Sequence, residues 1–268
     1  MTTLVIGARG SVGRHVVDHL LTAGEPVRAS VRSMHKAVLP AAVSVVESDL
    51  ARPETVRAAL DGISKVFLYA PEHLTSTQAA AFRGLDRVVL LSSGSVLLPT
   101  ATGNAIAEQH RAVEQAFESV IPIRPLVLAS NALNWARSIR SEGVVRLVHP
   151  DAMTAPIHER DIAAVATAAL LGTASSEVSS LLTGPRLISQ REQVAAIGPG
   201  LRVEELSESQ ARAHFGRFET AENVEAILHF IREAAEGGSP ATKTAENVLG
   251  RPPVEFGEWV RDHAGDFR

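Results

Sequence analysis

Short runs of β-branched and apolar residues alternate, through the first half of the chain, with longer stretches whose apolar positions recur every three or four residues. Residues 2–6 (TTLVI) form one such run. In the following stretch, 11–23, Val16, Val17, Leu20 and Leu21 fall on one helical face before Gly24 supplies a stop. Further strand-like runs occur at 27–31, 43–46, 65–69, 87–92 and 122–128. Between them the pattern predicts a helix at 53–60, opened by Pro53 and closed by Asp61 and Gly62. A second helix is predicted at 104–118, with Ala107, Val113 and Phe117 among its apolar positions. Strands that alternate with helices pair in parallel through right-handed crossovers, so the pattern predicts an α/β fold on a doubly wound parallel sheet.

Beyond about residue 130 the alternation loosens. Helices are expected at 131–141, 159–171, 207–214 and 221–235, and strand-like segments at 144–148 and 201–205, with the apolar pair Leu181-Leu182 between them. Gly237-Gly238-Ser239-Pro240 breaks the chain before a terminal helix at 258–264. The expected organisation is a sheet domain over residues 1–130 and, over 131–268, mainly a smaller lobe with some segments returning to the sheet. That lobe would fold over the carboxyl edge of the strands, where ligands of such sheets bind.

Composition narrows the chemistry. With 26 basic and 30 acidic side chains in 268 residues the net charge is −4, which gives no drive toward nucleic acid. There is no cysteine, which removes disulfides, thiolate metal sites and thiol nucleophiles together. The histidines show no paired metal-binding face, so no metal site is expected. No run approaches the roughly 20 apolar residues of a membrane span. The chain reads as a strand from its start, so a cytoplasmic protein, a monomer or weak homodimer off the membrane, is the expectation.

The first strand runs directly into Gly7-Ala8-Arg9-Gly10-Ser11-Val12-Gly13, which opens the first helix. Glycine permits the turn, the close approach of a pyrophosphate and the tight seating of helix on strand, while the helix amino terminus faces the phosphates. A strand, this turn and a helix at the head of a β/α alternation point to a dinucleotide. An acid closing the second strand would bind the ribose hydroxyls of NAD. Here Arg32 stands in that place, with Lys36 four residues on and Arg9 inside the turn. Guanidinium forks match a 2′-phosphate, so the expected cofactor is NADPH/NADP+.

The Gly-x-x-Gly-x-x-Gly spacing resembles that of the atypical short-chain dehydrogenase/reductases, and other residues extend the likeness to their NmrA-like branch. These are Asp49-Leu50, Ala70-Pro71, Leu91-Ser92-Ser93, His110 with Glu114, Ile123-Arg124-Pro125, Asn131, Thr154-Ala155-Pro156-Ile157 with Asp161, and Leu182-Thr183-Gly184-Pro185. The resemblance implies a Rossmann sheet. It also implies cofactor contacts from Gly7, Arg9, Gly10, Ser11, Val12, Gly13, Arg32 and Lys36, from Asp49 and Leu50 at the adenine, and from Tyr69, Ala70, Pro71 and Ser92 toward the nicotinamide.

Most reductases of this superfamily carry Tyr-x-x-x-Lys on the helix after the fifth strand. This chain has one tyrosine, Tyr69, and three lysines, Lys36, Lys65 and Lys243. The helix that should hold the pair reads Asn104-Ala105-Ile106-Ala107-Glu108-Gln109-His110, placing Ile106 and His110 at roughly the two positions. Two readings follow: a reductase whose substrate stabilises its own oxyanion, or a non-catalytic NADP(H) sensor of the NmrA type. Ser95 and His110 are the candidate catalytic groups, the imidazole because it titrates near neutrality. His158 and Asp161 lack the Gly-x-Ser-x-Gly spacing of a hydrolase and read as scaffold.

For the substrate, Ser93, Leu128, Asn131, Trp135 and Phe215 are the candidate contacts, a largely apolar wall suited to a flat hydrophobic ligand. The crossover from Tyr69 to Asp86 is short and would leave one side of the pocket open to bulk. Alanine- and arginine-rich usage with few lysines resembles that of high-GC bacteria, where this branch tailors aromatic polyketides. The resemblance thus implies reduction of a ketone or quinone on a bulky aromatic, polyketide-like substrate, such as an angucyclinone.

Overall fold

The computed structural model describes residues 2–34 and 39–268. Strands β1 (Thr2–Ile6), β2 (Val27–Val31), β3 (Ser44–Glu47), β4 (Ile63–Tyr69), β5 (Arg87–Leu91) and β6 (Ile121–Pro125) form a parallel sheet in the order β3-β2-β1-β4-β5-β6. The strand order reverses between β1 and β4, which opens a crevice at their carboxyl ends.

Side chains alternate across the sheet as a strand requires. Val5, Phe67, Val89 and Ile123 face one layer; Leu4, Ile6, Val66, Leu68, Val88 and Leu90 face the other. Helix α1 (Ser11–Thr22) covers the first face with Val12, Val16, Val17 and Leu20. Helices α2 (Pro53–Ala59), α3 (Ser76–Ala79) and α4 (Ala105–Ala116) cover the second, with Val56, Ala59, Ala79 and Val113 buried. Lys65, buried within β4, is neutralised by Glu25 at 3.2 Å.

The second half is interlaced with the first. After α5 (Ala136–Glu142), β7 (Val144–Leu147) and β8 (Met153–Thr154), the chain returns as α6 (Glu159–Leu171), which lies beside α1 and buries Ile162, Val165 and Leu170 in the same core. Then β9 (Leu181–Leu182) pairs in parallel with β6 as the seventh strand. β10 (Ile188–Ser189) pairs with β8, β11 (Arg202–Glu205) pairs with β7, and α7 (Gln190–Ile197), α8 (Glu208–Phe215), α9 (Ala221–Ala235), α10 (Thr244–Leu249) and α11 (Phe256–Asp262) complete the order.

Several elements differ from the sequence reading. The single helix expected at 131–141 is a 3-10 turn over Ala129–Trp135 followed by α5. Ala129 N–H donates to Ile157 O and Ile157 N–H to Val127 O, both at 2.8 Å, and this tie winds the entry tighter than an α-helix. The terminal helix starts two residues before the expected 258, because Val254 N–H is pinned by the Asp161 carboxylate at 2.6 Å and Glu255 then takes the N-cap place. Strands β3 and β6 end one and three residues from their expected ends, at Glu47 and Pro125, and β4 begins earlier, at Ile63. Helices α7 and α10 and the β8–β10 pair have no counterpart in the sequence reading.

Candidate active site

The glycine turn sits at the mouth of the crevice between β1 and β4. Gly7 adopts φ +83°, and Gly10 N–H donates to Gly7 O at 2.8 Å to close the turn. A Cβ on Gly13 would lie 2.1 Å from Gly7 O, so only glycine lets α1 approach β1 this closely. The amino end of α1 has no side-chain cap and no acidic residue in its first turn. Its free N–H groups and positive dipole end fit a pyrophosphate. Tyr69 ends β4 with its ring over Gly7, close enough that a Cβ there would meet Cδ1 at 2.9 Å. It is 40 % exposed, unlike the buried residues before it on the strand.

Of the cations that the sequence assigns to the ribose phosphate, Arg9 and Arg32 are exposed, and neither has a side-chain hydrogen bond or ion pair among the described residues. Lys36 lies outside the described residues. Asp49 is half-buried, and its Oδ1 accepts from Ala51 N–H at 3.0 Å, which shapes its own turn, while Leu50 points into the core. Ala70 and Pro71 are half-buried, with Ala70 N–H held by Leu91 O at 3.0 Å.

At the end of β5 the polar groups converge. Ser92 is buried and its hydroxyl donates to Glu114 Oε1 at 2.6 Å. Arg124 on β6 grips the same carboxylate in a fork, Nε to Oε1 at 2.9 Å and Nη2 to Oε2 at 2.5 Å, and its Nη1 donates to Ser179 O at 2.7 Å. His110 Nδ1 lies 3.5 Å from Ser92 Oγ, at the outer limit of a hydrogen bond. Burial pushes the His110 imidazole below its ordinary value, with Glu114 acting in the opposite sense. Ser93 and Ser95 share a hydroxyl–hydroxyl bond of 2.8 Å. Ser92 and His110 thus lie together, and Ser93 and Ser95 pair on the turn that follows; Glu114 and Arg124, which hold the Ser92 end, were visible in the sequence only as part of the resemblance.

The candidate substrate contacts do not gather in one place. Asn131 is exposed and Leu128 packs partly on the sheet core, bridged to Ile157. Trp135 packs between two small clusters that include Phe256, Ile139 and Val145, and Phe215 against Val148, Ala211, Val224 and Leu228. These two aromatics belong to the seam of the lobe. Large apolar side chains that do stay exposed include Tyr69, Leu97, Met153 and Phe218, carried by β4, the turn after β5, β8 and the α8–α9 connection. Leu97 and Met153 had no periodic signal, and only their exposure marks them. A cleft of about 440 Å³, lined by none of these four, opens between the loop after β4, α4 and the start of α9, with Glu72, His73, Gln109 and Asn223 on its walls.

His158 and Asp161 are both buried, yet they do not pair. His158 Nε2 faces Asp262 at 3.2 Å, while Asp161 accepts from Arg251 at 2.8 Å and from Val254 N–H. Between them, fully buried Glu159 accepts from Trp259 Nε1 at 2.9 Å and faces His263 Nε2 at 2.7 Å. This node ties α6 to α11.

A tight glycine turn opening an uncapped helix at the switch point of a parallel sheet is the arrangement of dinucleotide-binding proteins. The chain belongs to the NAD(P)H-binding family, which it matches over residues 7–171. It is 36% identical to the (4-alkanoyl-5-oxo-2,5-dihydrofuran-3-yl)methyl phosphate reductase of Streptomyces griseus, over 98% of both chains. It is 28% identical to the NAD(P)H azoreductase of Xenophilus azovorans, again over 98% of each. In fold it is similar to an NADPH-dependent quinone oxidoreductase from Escherichia coli solved with NADPH, with TM-score 0.75 and 20% identity over 97% of this chain and 99% of that one. The protein is an NAD(P)H-dependent oxidoreductase with the fold of the atypical short-chain reductases, and among its described residues no helix is long and apolar enough to cross a membrane.

Proposed function

We propose that the protein is a cytoplasmic, NADPH-preferring reductase of a ketone or quinone in a bulky, conjugated, polyketide-like substrate, held by the lobe over residues 131–268 against the cofactor domain over 1–130. The observation that carries this reading is α4, which packs beside the end of β5 and offers Ile106 and His110 where a tyrosine and a lysine would stand. With no phenol on α4 to protonate the carbonyl, the acceptor itself must hold the arriving electron pair. A quinone or a carbonyl conjugated to further electron-withdrawing groups does so by delocalising it, and water completes the protonation afterwards. The names of two relatives support a conjugated acceptor: one describes an oxo-dihydrofuran that bears an alkanoyl group and a methyl phosphate, the other an azo compound.

Bound NADPH supplies the hydride. The chain's part is orientation, the strongest help a protein can give a hydride transfer without an acid. The α1 amino terminus and the glycine turn hold the pyrophosphate, Arg9 and Arg32 select the 2′-phosphate, and Ser95, sharing a hydrogen bond with Ser93, offers a hydroxyl to the oxyanion. Tyr69, Leu97, Met153 and Phe218 supply apolar surface.

The test follows NADPH absorbance with a panel of 1,4-naphthoquinones, polycyclic ketones and simple aliphatic ketones. Turnover of the conjugated acceptors and not the aliphatic ones is expected. Tight NADP+ binding with no turnover of any acceptor would favour the sensor instead.

A further inference from the structure

The proton inventory around Glu114 leads to an inference that rests on the reductase reading. Glu114 is 10 % exposed and held as an anion by the Arg124 fork, so it has lone pairs to offer and no proton. The Ser92 hydroxyl owns one hydrogen, and at 2.6 Å from Oε1 that hydrogen is committed to the carboxylate. What Ser92 Oγ then presents to His110 Nδ1 is lone pairs alone. A neutral imidazole meets them only with its hydrogen on Nδ1, which leaves Nε2 bare. Burial disfavours the charged imidazole, and no donor to Nε2 exists among the described residues. The nearby Arg111 guanidinium is turned away, donating to Val96 O at 3.2 Å.

We propose that Glu114 is a positioning residue: through Ser92 it fixes His110 as the Nδ1–H tautomer, so that His110 receives a ligand hydroxyl at Nε2 and gives no proton to the substrate. This reverses the donor role that a histidine at this place suggests from sequence. The hydroxyl it receives comes from the cofactor ribose or from the substrate. In either case the imidazole orients the reactants, which is the contribution the absent lysine would otherwise make.

The full-length protein labelled with 15N-histidine provides the readout, with His110 assigned through His110→Asn. Long-range 1H–15N correlation spectra near neutral pH are expected to show hydrogen on Nδ1 and a bare Nε2. Ser92→Ala leaves the Arg124 fork in place and removes the intermediary, so the hydrogen should move to Nε2 in a substantial share of molecules. Glu114→Gln, whose amide can donate toward Ser92, should produce the same change if the first variant folds poorly. A wild-type imidazole protonated at Nε2 or at both nitrogens, or a tautomer unmoved in both variants, overturns the proposal.

Two titrations identify the hydroxyl. A shift of the Nε2 resonance on adding NADP+ alone assigns it to the ribose, and a shift only on adding 5-hydroxy-1,4-naphthoquinone assigns it to the substrate; a shift with neither overturns the acceptor role. In turnover, Ser92→Ala should raise the KM of that same ligand about three- to tenfold, the worth of one neutral hydrogen bond, with kcat little changed. If His110 were a general acid, His110→Asn would instead lower kcat by about a hundredfold or more. The spectra are recorded without turnover, so failure of the reductase reading and failure of this proposal give different results.

Discussion

Replacing Gly13 with alanine tests whether the glycine turn is the cofactor cradle. The new Cβ would lie 2.1 Å from Gly7 O, 2.8 Å from Gly7 C and 3.2 Å from Ala8 Cα, all backbone atoms that no rotamer change can move. Ordinary contact begins near 3.4 Å, so α1 and the turn must separate by more than an ångström. Val16, Val17 and Leu20 anchor α1 in the core, and such overpacking costs about 1–3 kcal/mol of stability. The same displacement draws the helix N–H groups from the pyrophosphate. Each charge-assisted bond lost is worth about 1.5–3 kcal/mol, so NADPH affinity should fall by roughly ten- to a hundredfold or more. Gly257→Ala in α11 is the internal control, because its Cβ meets nothing within 4 Å and its φ is not left-handed. Its effect should stay within about threefold. Fluorescence titration with NADPH, beside thermal unfolding of each variant, reads both quantities. Wild-type affinity in Gly13→Ala, or as large a loss in Gly257→Ala as in Gly13→Ala, would refute the assignment.

Arg32→Ala should weaken NADPH binding by roughly tenfold or more and leave NADH nearly unchanged, since one charge-assisted bond to the 2′-phosphate is lost; equal losses for the two would remove that role. Glu159→Ala strips the acceptor from buried Trp259 Nε1 and His263, and leaving each without its partner costs about 1–3 kcal/mol, visible as a drop in Tm. Trp259→Phe, which removes only the donor, should cost about 1–3 kcal/mol. Burial is the chief cause that lowers His15, His110 and His214 from their ordinary value of 6.5, with Arg14 adding to it at His15, Glu114 opposing it at His110 and Arg217 adding to it at His214. The unfolded chain therefore takes up these protons first as pH falls, so their stabilisation is present above pH 6.5 and is lost through the lower folded values. Urea unfolding stability that is flat or rising between about pH 7 and pH 5 would contradict this sign.

The parallel sheet was legible because β-branched runs and the Gly7-to-Gly13 turn are local signals whose meaning needs no tertiary context. Its seventh strand was not, since Leu181-Leu182 is too short to carry a period and gains its partner only from β6. Helix α7 had a readable signature, Ser189 with Glu192 three residues on, and both halves of that capping box are formed. Within the site, the chemistry-bearing residue types could be named, but their state could not. Ser92 and His110 look like free polar groups until Arg124 from another strand commits the carboxylate to which Ser92 donates. Trp135 and Phe215 show the opposite limit, because a composition that suits a pocket wall equally suits the seam where the structure puts them.

The interlacing of the two halves has a consequence for how the protein is made. As the nascent chain leaves the ribosome, β1, β4, β5 and β6 are complete by Pro125, yet the face bearing Val5, Phe67, Val89 and Ile123 lacks α6, and β6 has a bare edge until Leu182 emerges. At about 5–20 residues per second the intervening stretch takes roughly three to eleven seconds to synthesise. Throughout that interval a greasy, unpaired strand edge is presented to the cell. Holding chaperones should therefore engage this chain in the window between the sixth and seventh strands, and a ribosome stalled there should display an aggregation-prone intermediate that one stalled beyond β9 does not.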